Sequence, residues 1–156
     1  MMMRILMVCM GNICRSPLAE GVVRCLADRA GLGAFLEVDS AGTLAYHAGE
    51  QPDPRARKVA TSRGYDLSKM RARRVAEDDF SHFDLVLAMD RQNLAALERV
   101  CPEEHLHKLR LFMDYAEDRE LDEIPDPYYG GPDGFERVLD LCEAAARGLI
   151  ASIAGR

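Results

Sequence analysis

Several familiar routes to function are closed by what this sequence lacks. It contains no G-x-x-x-x-G-K-[ST] and no G-x-G-x-x-G, so neither a nucleotide phosphate loop nor a dinucleotide fingerprint is present. No internal repeat, low-complexity tract or long linker interrupts the 156 residues, a length that suits one domain over 1–156 with a substantial core. Cations are not in excess. Twenty Lys and Arg stand against 26 Asp and Glu, a net charge of −6, which argues against general nucleic-acid binding because phosphate contacts need a basic face. The apolar run in MMMRILMVCMGN is short and gives way at once to Gly, Asn and Arg, and so predicts neither a signal peptide nor a membrane span. The five cysteines are an odd number, which fits reduced thiols in a cytoplasmic setting better than a disulfide framework. His105 and His107 have no Cys or carboxylate at metal-ligand spacing beside them, so no metal and no cofactor is expected.

What is present is an alternation of short apolar runs and helical patterns. Arg4 to Val8, Phe35 to Ala41, Asp84 to Asp90 and Lys108 to Met113 read as four strands. Ser16-Pro17 opens a helix, with Ser16 as N-cap and Gly31 and Gly33 as its stop. Arg55 to Arg63 with Gly64 beyond it, Glu77 to Phe83, and Arg91 to Val100 read as further helices. The stripe Phe135, Val138, Leu139, Cys142, Ala146, Leu149 and Ile153 marks a long amphipathic C-terminal helix. Strands alternating with helices predict a three-layer α/β fold, a parallel four-stranded sheet with helices on both faces. In such sheets ligands bind at the carboxyl ends of strands.

The loop after the first strand carries the chemistry. In Cys9-Met10-Gly11-Asn12-Ile13-Cys14-Arg15-Ser16, five residues separate Cys9 from Arg15 between a strand and a helix. A tight loop there turns its backbone N–H groups around one anion, and the helix N-terminus adds more N–H groups and the positive end of its dipole. Gly11 is read as the residue that allows an unusual backbone turn. A thiol at the floor of such a nest ionises readily. Arg15 can hold two phosphate oxygens in a fork and stabilise charge on phosphorus. Ser16 can also give its hydroxyl to the sulfur. A bare Cys-x5-Arg is a weak motif, and the strand, Gly-Asn and Ser-Pro around it are what strengthen it.

If the leaving group is a phenolate, an acid must protonate it. Asp126, in Asp126-Pro-Tyr128-Tyr129-Gly-Gly, is the candidate, with both tyrosines able to wall an aromatic slot. Asp118, Glu120, Asp122 and Glu123 give it a like-charged neighbourhood that favours its protonated form. Charge is uneven elsewhere too. Eight cations and one acid lie between Arg55 and Arg74, either a solvated face or a rim that steers anionic substrates.

These residues resemble the low-molecular-weight protein tyrosine phosphatase family over essentially the whole chain. The matching pieces are Val8-Cys9-Met-Gly-Asn12-Ile-Cys14-Arg15-Ser16-Pro17, Asp39-Ser40-Ala41-Gly42, Met89-Asp90 and Asp126-Pro-Tyr-Tyr-Gly130. The resemblance implies the phosphotyrosine protein phosphatase I-like fold and metal-independent hydrolysis of phosphotyrosine proteins or small aryl phosphates to inorganic phosphate. It implies Cys9 as nucleophile through a phosphocysteine, Arg15 as phosphate clamp, and Asp126 as acid and then base. It makes Asn12, Ser16 and Ser40 supports of the loop, and Met10, Ile13, Tyr46, His47, Tyr128 and Tyr129 the substrate slot. It makes Cys14 a redox partner that spares Cys9 through a reversible disulfide. One departure is Met70, where many members carry a His that buttresses the Asn; another is His47, at a position that varies among members. Two other functions compatible with these residues are a thiol-dependent arsenate reductase on the same fold and a catalytically idle phosphate-binding module. Cys25, Cys101 and Cys142 are expected to be packing residues.

Overall fold

A computed structural model describes residues 2–117, 120–128 and 131–155. Four strands, β1 (Met3–Cys9), β2 (Leu36–Gly42), β3 (Leu85–Ala88) and β4 (Leu109–Leu111), form one sheet in the order β2-β1-β3-β4. Every pair is parallel. Among the described residues five α-helices connect or follow them: α1 (Arg15–Arg29), α2 (Pro54–Ser62), α3 (Glu77–His82), α4 (Arg91–Val100) and α5 (Pro132–Ala154).

Side-chain alternation along the strands sorts the helices into layers. Ile5, Met7 and Cys9 of β1 and Leu85 and Leu87 of β3 face a core shared with α1, α2 and α5, through Leu18, Val22, Val59, Leu139 and Leu149 among others. Leu6, Val8, Val86 and Ala88 face the opposite core, closed by Phe80 and Phe83 and by Leu97 of α4. Both central strands are covered on both faces, which is why they read as continuous apolar runs without polar alternation. Each fully buried Leu or Phe contributes about 1.5–3 kcal/mol relative to leaving it in water. The three-layer α/β sheet expected from the sequence is the fold observed.

Boundaries differ from the sequence reading by small, explicable amounts. Phe35 belongs to a 3-10 turn and the second strand runs one residue later, to Gly42. The third and fourth strands are shorter than the apolar runs that contain them. Asp84 precedes β3, and β4 is flanked by 3-10 segments at Glu103–Lys108 and Phe112–Tyr115. Helix α2 starts at Pro54 with Asp53 as its cap, whose side chain accepts the Arg55 amide at 2.8 Å. Gly31 and Gly64 stop α1 and α2 as expected, with φ of 76° and 85° and back-bonds from Leu32 to Ala27 and from Tyr65 to Ala60.

The larger correction is at the start of α1. Ser16 is not an N-cap. The helix begins one residue before it, at Arg15, and no side chain caps it. The free first-turn N–H groups therefore face the loop, and the Ser16 hydroxyl is released for another use.

Candidate active site

Strand β1 lies between β2 and β3, and its last residue is Cys9. The chain then turns through residues 10–14 into α1. The turn is made by Asn12, with φ of 59°, the one non-glycine residue of positive φ among those described. Gly11 has no positive φ, contrary to the sequence reading. It is confined instead by contact: a Cβ there would lie 3.1 Å from the His47 ring. Gly42 is more tightly constrained. A Cβ would stand 2.7 Å from the Met10 carbonyl and 3.2 Å from the Asn12 amide, so only glycine lets β2 end against the loop.

The Cys9 sulfur is buried and receives two donors. The Asn12 amide donates to it at 3.2 Å, and Ser16 Oγ lies 3.0 Å away. The direction of the second contact follows from its neighbours. Asn12 Nδ2 donates to Ser16 Oγ at 2.8 Å and to Ser40 Oγ at 3.0 Å, which leaves Ser16 one proton to give, and of its two acceptors the Cys9 sulfur at 3.0 Å is nearer than the Ala41 carbonyl at 3.5 Å. The Arg73 amide donates to Asn12 Oδ1 at 3.0 Å and fixes which way that side chain points. Ser40 in turn donates to Glu20 Oε1 at 2.7 Å, and Glu20 also pairs with Arg24. Burial raises the Glu20 carboxyl above its ordinary value, against the opposing pull of the Ser40 bond and of Arg24. Met70 makes no polar contribution here. It packs partly buried against the α1 side of the core, so the Arg73 amide and the Ser40–Glu20 link brace Asn12 without a histidine.

Arg15 is buried to 3% exposure and held at one end. Its Nη1 donates to Asp90 Oδ2 at 2.6 Å and to the Ile124 carbonyl at 3.0 Å. Its Nη2 lies 3.8 Å from Asp126 Oδ2. Burial works against the guanidinium charge, but Cys9, Asp90 and Asp126 outweigh it and push the Arg15 pKa up. Asp126 is steadied by the Tyr128 amide, which donates to its Oδ1 at 3.0 Å. The acids around Asp126 are partly engaged elsewhere: Asp122 pairs with Arg91, and Glu123 accepts the Arg91 amide. Asp118 and Tyr129 lie outside the described residues.

Cys9, Arg15 and Asp126 open onto one cavity of about 310 Å³. Its walls are Met10, Gly11, Ile13, Leu44, Tyr46, His47 and Tyr128, with Cys14 beside Cys9. The Tyr46 and His47 rings meet edge to face at 4.8 Å, and His47 bonds Glu50 at 3.1 Å. Arg55 donates to the Tyr128 carbonyl at 3.0 Å and lies 5.2 Å from its ring centre. Cys14 is buried, and burial first, then the nearby Asp53 and Cys9, pushes its thiol pKa up. The polar floor, anion-binding N–H groups and aromatic rim together suit a phosphorylated aromatic group.

Several contributors have no role in the sequence reading: Leu44, the Ile124 carbonyl, Glu20 and the Arg73 amide, and Asp90, which was noted only as part of a matching piece. Asp90 was detectable in principle, as the polar residue just past a strand that neighbours the Cys9 strand. Three of the eight cations in the basic run are engaged by carboxylates. Arg55 pairs with Asp53, Arg63 with Glu136, Asp140 and Glu143, and Arg73 with Asp39 and Asp79.

A parallel α/β sheet ending in a cysteine-arginine loop, with an aspartate across the cavity, is an arrangement suited to holding a phosphate group. The family described as low molecular weight phosphotyrosine protein phosphatase matches residues 4–156, and the chain belongs to that family. A Streptomyces coelicolor low molecular weight protein-tyrosine-phosphatase is 47% identical over 96% of this chain and 93% of its own length. The human low molecular weight phosphotyrosine protein phosphatase is 37% identical over 94% and 92%. A crystal structure of a protein tyrosine phosphatase from Entamoeba histolytica, with Hepes in the active site, superposes with a TM-score of 0.95 at 43% identity, covering 98% of this chain and 97% of that one.

Proposed function

We propose that this chain hydrolyses phosphotyrosine and aryl phosphate monoesters through a phosphocysteine on Cys9. The observation that carries the reading is the buried Cys9 sulfur, met by the Asn12 amide and the Ser16 hydroxyl, in the same cavity as Arg15 and Asp126. The donors suit a sulfur that bears negative charge. In the first step the Cys9 thiolate forms a sulfur–phosphorus bond while the bond from phosphorus to the phenolic oxygen breaks. The departing oxygen takes the Asp126 proton. In the second step the Asp126 carboxylate takes a proton from water, the water oxygen bonds phosphorus, and inorganic phosphate leaves as the Cys9 thiolate returns. Arg15, held at Nη1 by Asp90 and Ile124, presents its remaining N–H groups to the phosphoryl oxygens and stabilises the charge they gain.

Cys14 borders the cavity beside Cys9, and all five cysteines are free. That supports its role as a resolving thiol after Cys9 oxidation, in a reducing, cytoplasmic compartment. No described helix is long and apolar enough to cross a membrane.

The test is turnover of an aryl phosphate and a phosphotyrosine peptide near mildly acidic pH, without added metal. Cys9→Ser abolishes turnover, and Asp126→Asn lowers kcat by about 10²- to 10⁴-fold. Phosphate release that survives Cys9→Ser rejects the mechanism. Tight phosphopeptide binding without turnover by the unmodified protein indicates a binding module, and arsenate reduction dependent on Cys9 in place of ester hydrolysis indicates a reductase.

A further inference from the structure

We propose that a second groove, joined to the Cys9 cavity at Leu44, holds the polypeptide on one side of the substrate phosphotyrosine and selects a carboxylate side chain within it. This rests on the phosphatase reading above and adds a substrate preference to it. The groove, about 520 Å³ in volume, runs between residues 43–44, residues 74–77 and the last turns of α4. Leu44, 50% exposed, borders both cavities.

The connection is built into the backbone. On one edge, the amides of Thr43 and Leu44 donate to the carbonyls of Cys9 and Met10, each at 3.0 Å. On the other, Gly42 donates to Arg73 at 2.8 Å and accepts from Val75 at 2.9 Å. The same three-residue segment therefore ties the anion loop on one side and fixes Arg74 on the other. A chain leaving the Cys9 cavity over Leu44 enters this groove directly.

Its lining specifies the occupant. Phe80 and Leu97 form a buried apolar floor, and Val100 adds an exposed apolar rim. Arg74 and Arg99 are exposed, and neither side chain has a hydrogen bond or ion pair among the described residues. Glu77 is the one acid among the lining residues. Three cations of the basic run, Arg55, Arg63 and Arg73, are taken up by ion pairs, whereas Arg74 and Arg99 line one groove together without a carboxylate partner among the described residues, and in a protein of net charge −6 they mark a local site for negative charge. A segment with an apolar side chain for the floor and a carboxylate for the arginines satisfies both features. An aryl phosphate alone is too short to reach it.

The experiment walks a single Glu, or a single Lys, through the four positions on each side of phosphotyrosine in a short peptide. For each peptide, kcat/KM is divided by that for an aryl phosphate, which reports the Cys9 site by itself. The full chain is compared with Arg74→Glu/Arg99→Glu and with the milder Arg74→Gln/Arg99→Gln. On one side of the phosphotyrosine, Glu is expected to exceed Lys by about three- to tenfold, the range of one or two exposed ion pairs. The Gln pair flattens that preference and the Glu pair inverts it. Equal ratios for Glu and Lys at every position in the unmodified protein overturn the proposal. So does a preference that both variants retain. Absence of aryl phosphate turnover by the unmodified protein defeats the phosphatase reading itself, a result separable from either.

Discussion

Asp90 works in two directions at once. One carboxylate oxygen accepts the Asn93 amide at 2.7 Å and caps α4, while the other pairs with Arg15 at 2.6 Å. Replacing it by Ala leaves a buried guanidinium without its closest counter-charge and a helix without its cap. Urea denaturation is expected to show a loss of about 3–5 kcal/mol. Asp90→Asn, which keeps a capping oxygen, is expected to lie between that value and the native protein. The contrast with Cys9 and Arg15 shows what a sequence exposes at this scale. Those two are read from seven contiguous residues. Asp90 is 75 positions from Arg15, and its role exists only once β3 lies beside β1. Ser16 shows the opposite problem. Ser before Pro satisfies the local signature of a cap, yet the contacts that decide its role come from Asn12 and Cys9 in the folded loop.

Among the elements, α2 illustrates how a short helix is secured at the rim of the cavity. Asp53 caps it and is bound by Arg55 through both side chain and backbone. Burial alone raises the Asp53 carboxyl, but the Arg55 bonds outweigh it and hold it below its ordinary value of 3.8. A carboxyl lowered on folding stabilises the native state above the unfolded value, and that contribution disappears as pH falls through the folded one. Asp53→Ala is therefore expected to cost about 1 kcal/mol near neutrality, with the gap from the native protein closing below pH 3.8. Thermal melts across pH 2.5 to 7 check it, in steps of about half a unit around the carboxylate range. The helices and the two central strands were legible because burial and periodicity agree along them. Strand β4 was placed correctly but its ends were not legible, since its three residues sit at the sheet edge between two 3-10 segments, and an apolar run alone does not tell these states apart.

For the molecule as a whole, the packing of α5 is the least forgiving feature. A Cβ on Gly148 would stand 1.7 Å from the Tyr115 carbonyl oxygen, which belongs to the backbone and cannot swing aside. Gly148→Ala is expected to cost at least the upper part of the usual 1–3 kcal/mol overpacking range, a fall in Tm of roughly 6 °C or more at this chain length. Differential scanning calorimetry measures it directly. The uneven charge seen in the sequence also resolves at this scale. Arg63 clamps α2 to α5 through three carboxylates, so part of what reads as a basic surface is an interhelix fastening.

The Cys9 loop takes its contacts from residues 28, 61, 75 and 109 positions apart in the pairs Asn12–Ser40, Asn12–Arg73, Arg15–Asp90 and Arg15–Ile124. A site assembled from such distant stretches of chain cannot exist in a half-formed protein, because every loop-closure cost must be met before it appears. During renaturation, then, ellipticity from α1 and α5 should return ahead of the ability to bind vanadate. The capacity to act becomes a late certificate that the entire sheet has come together.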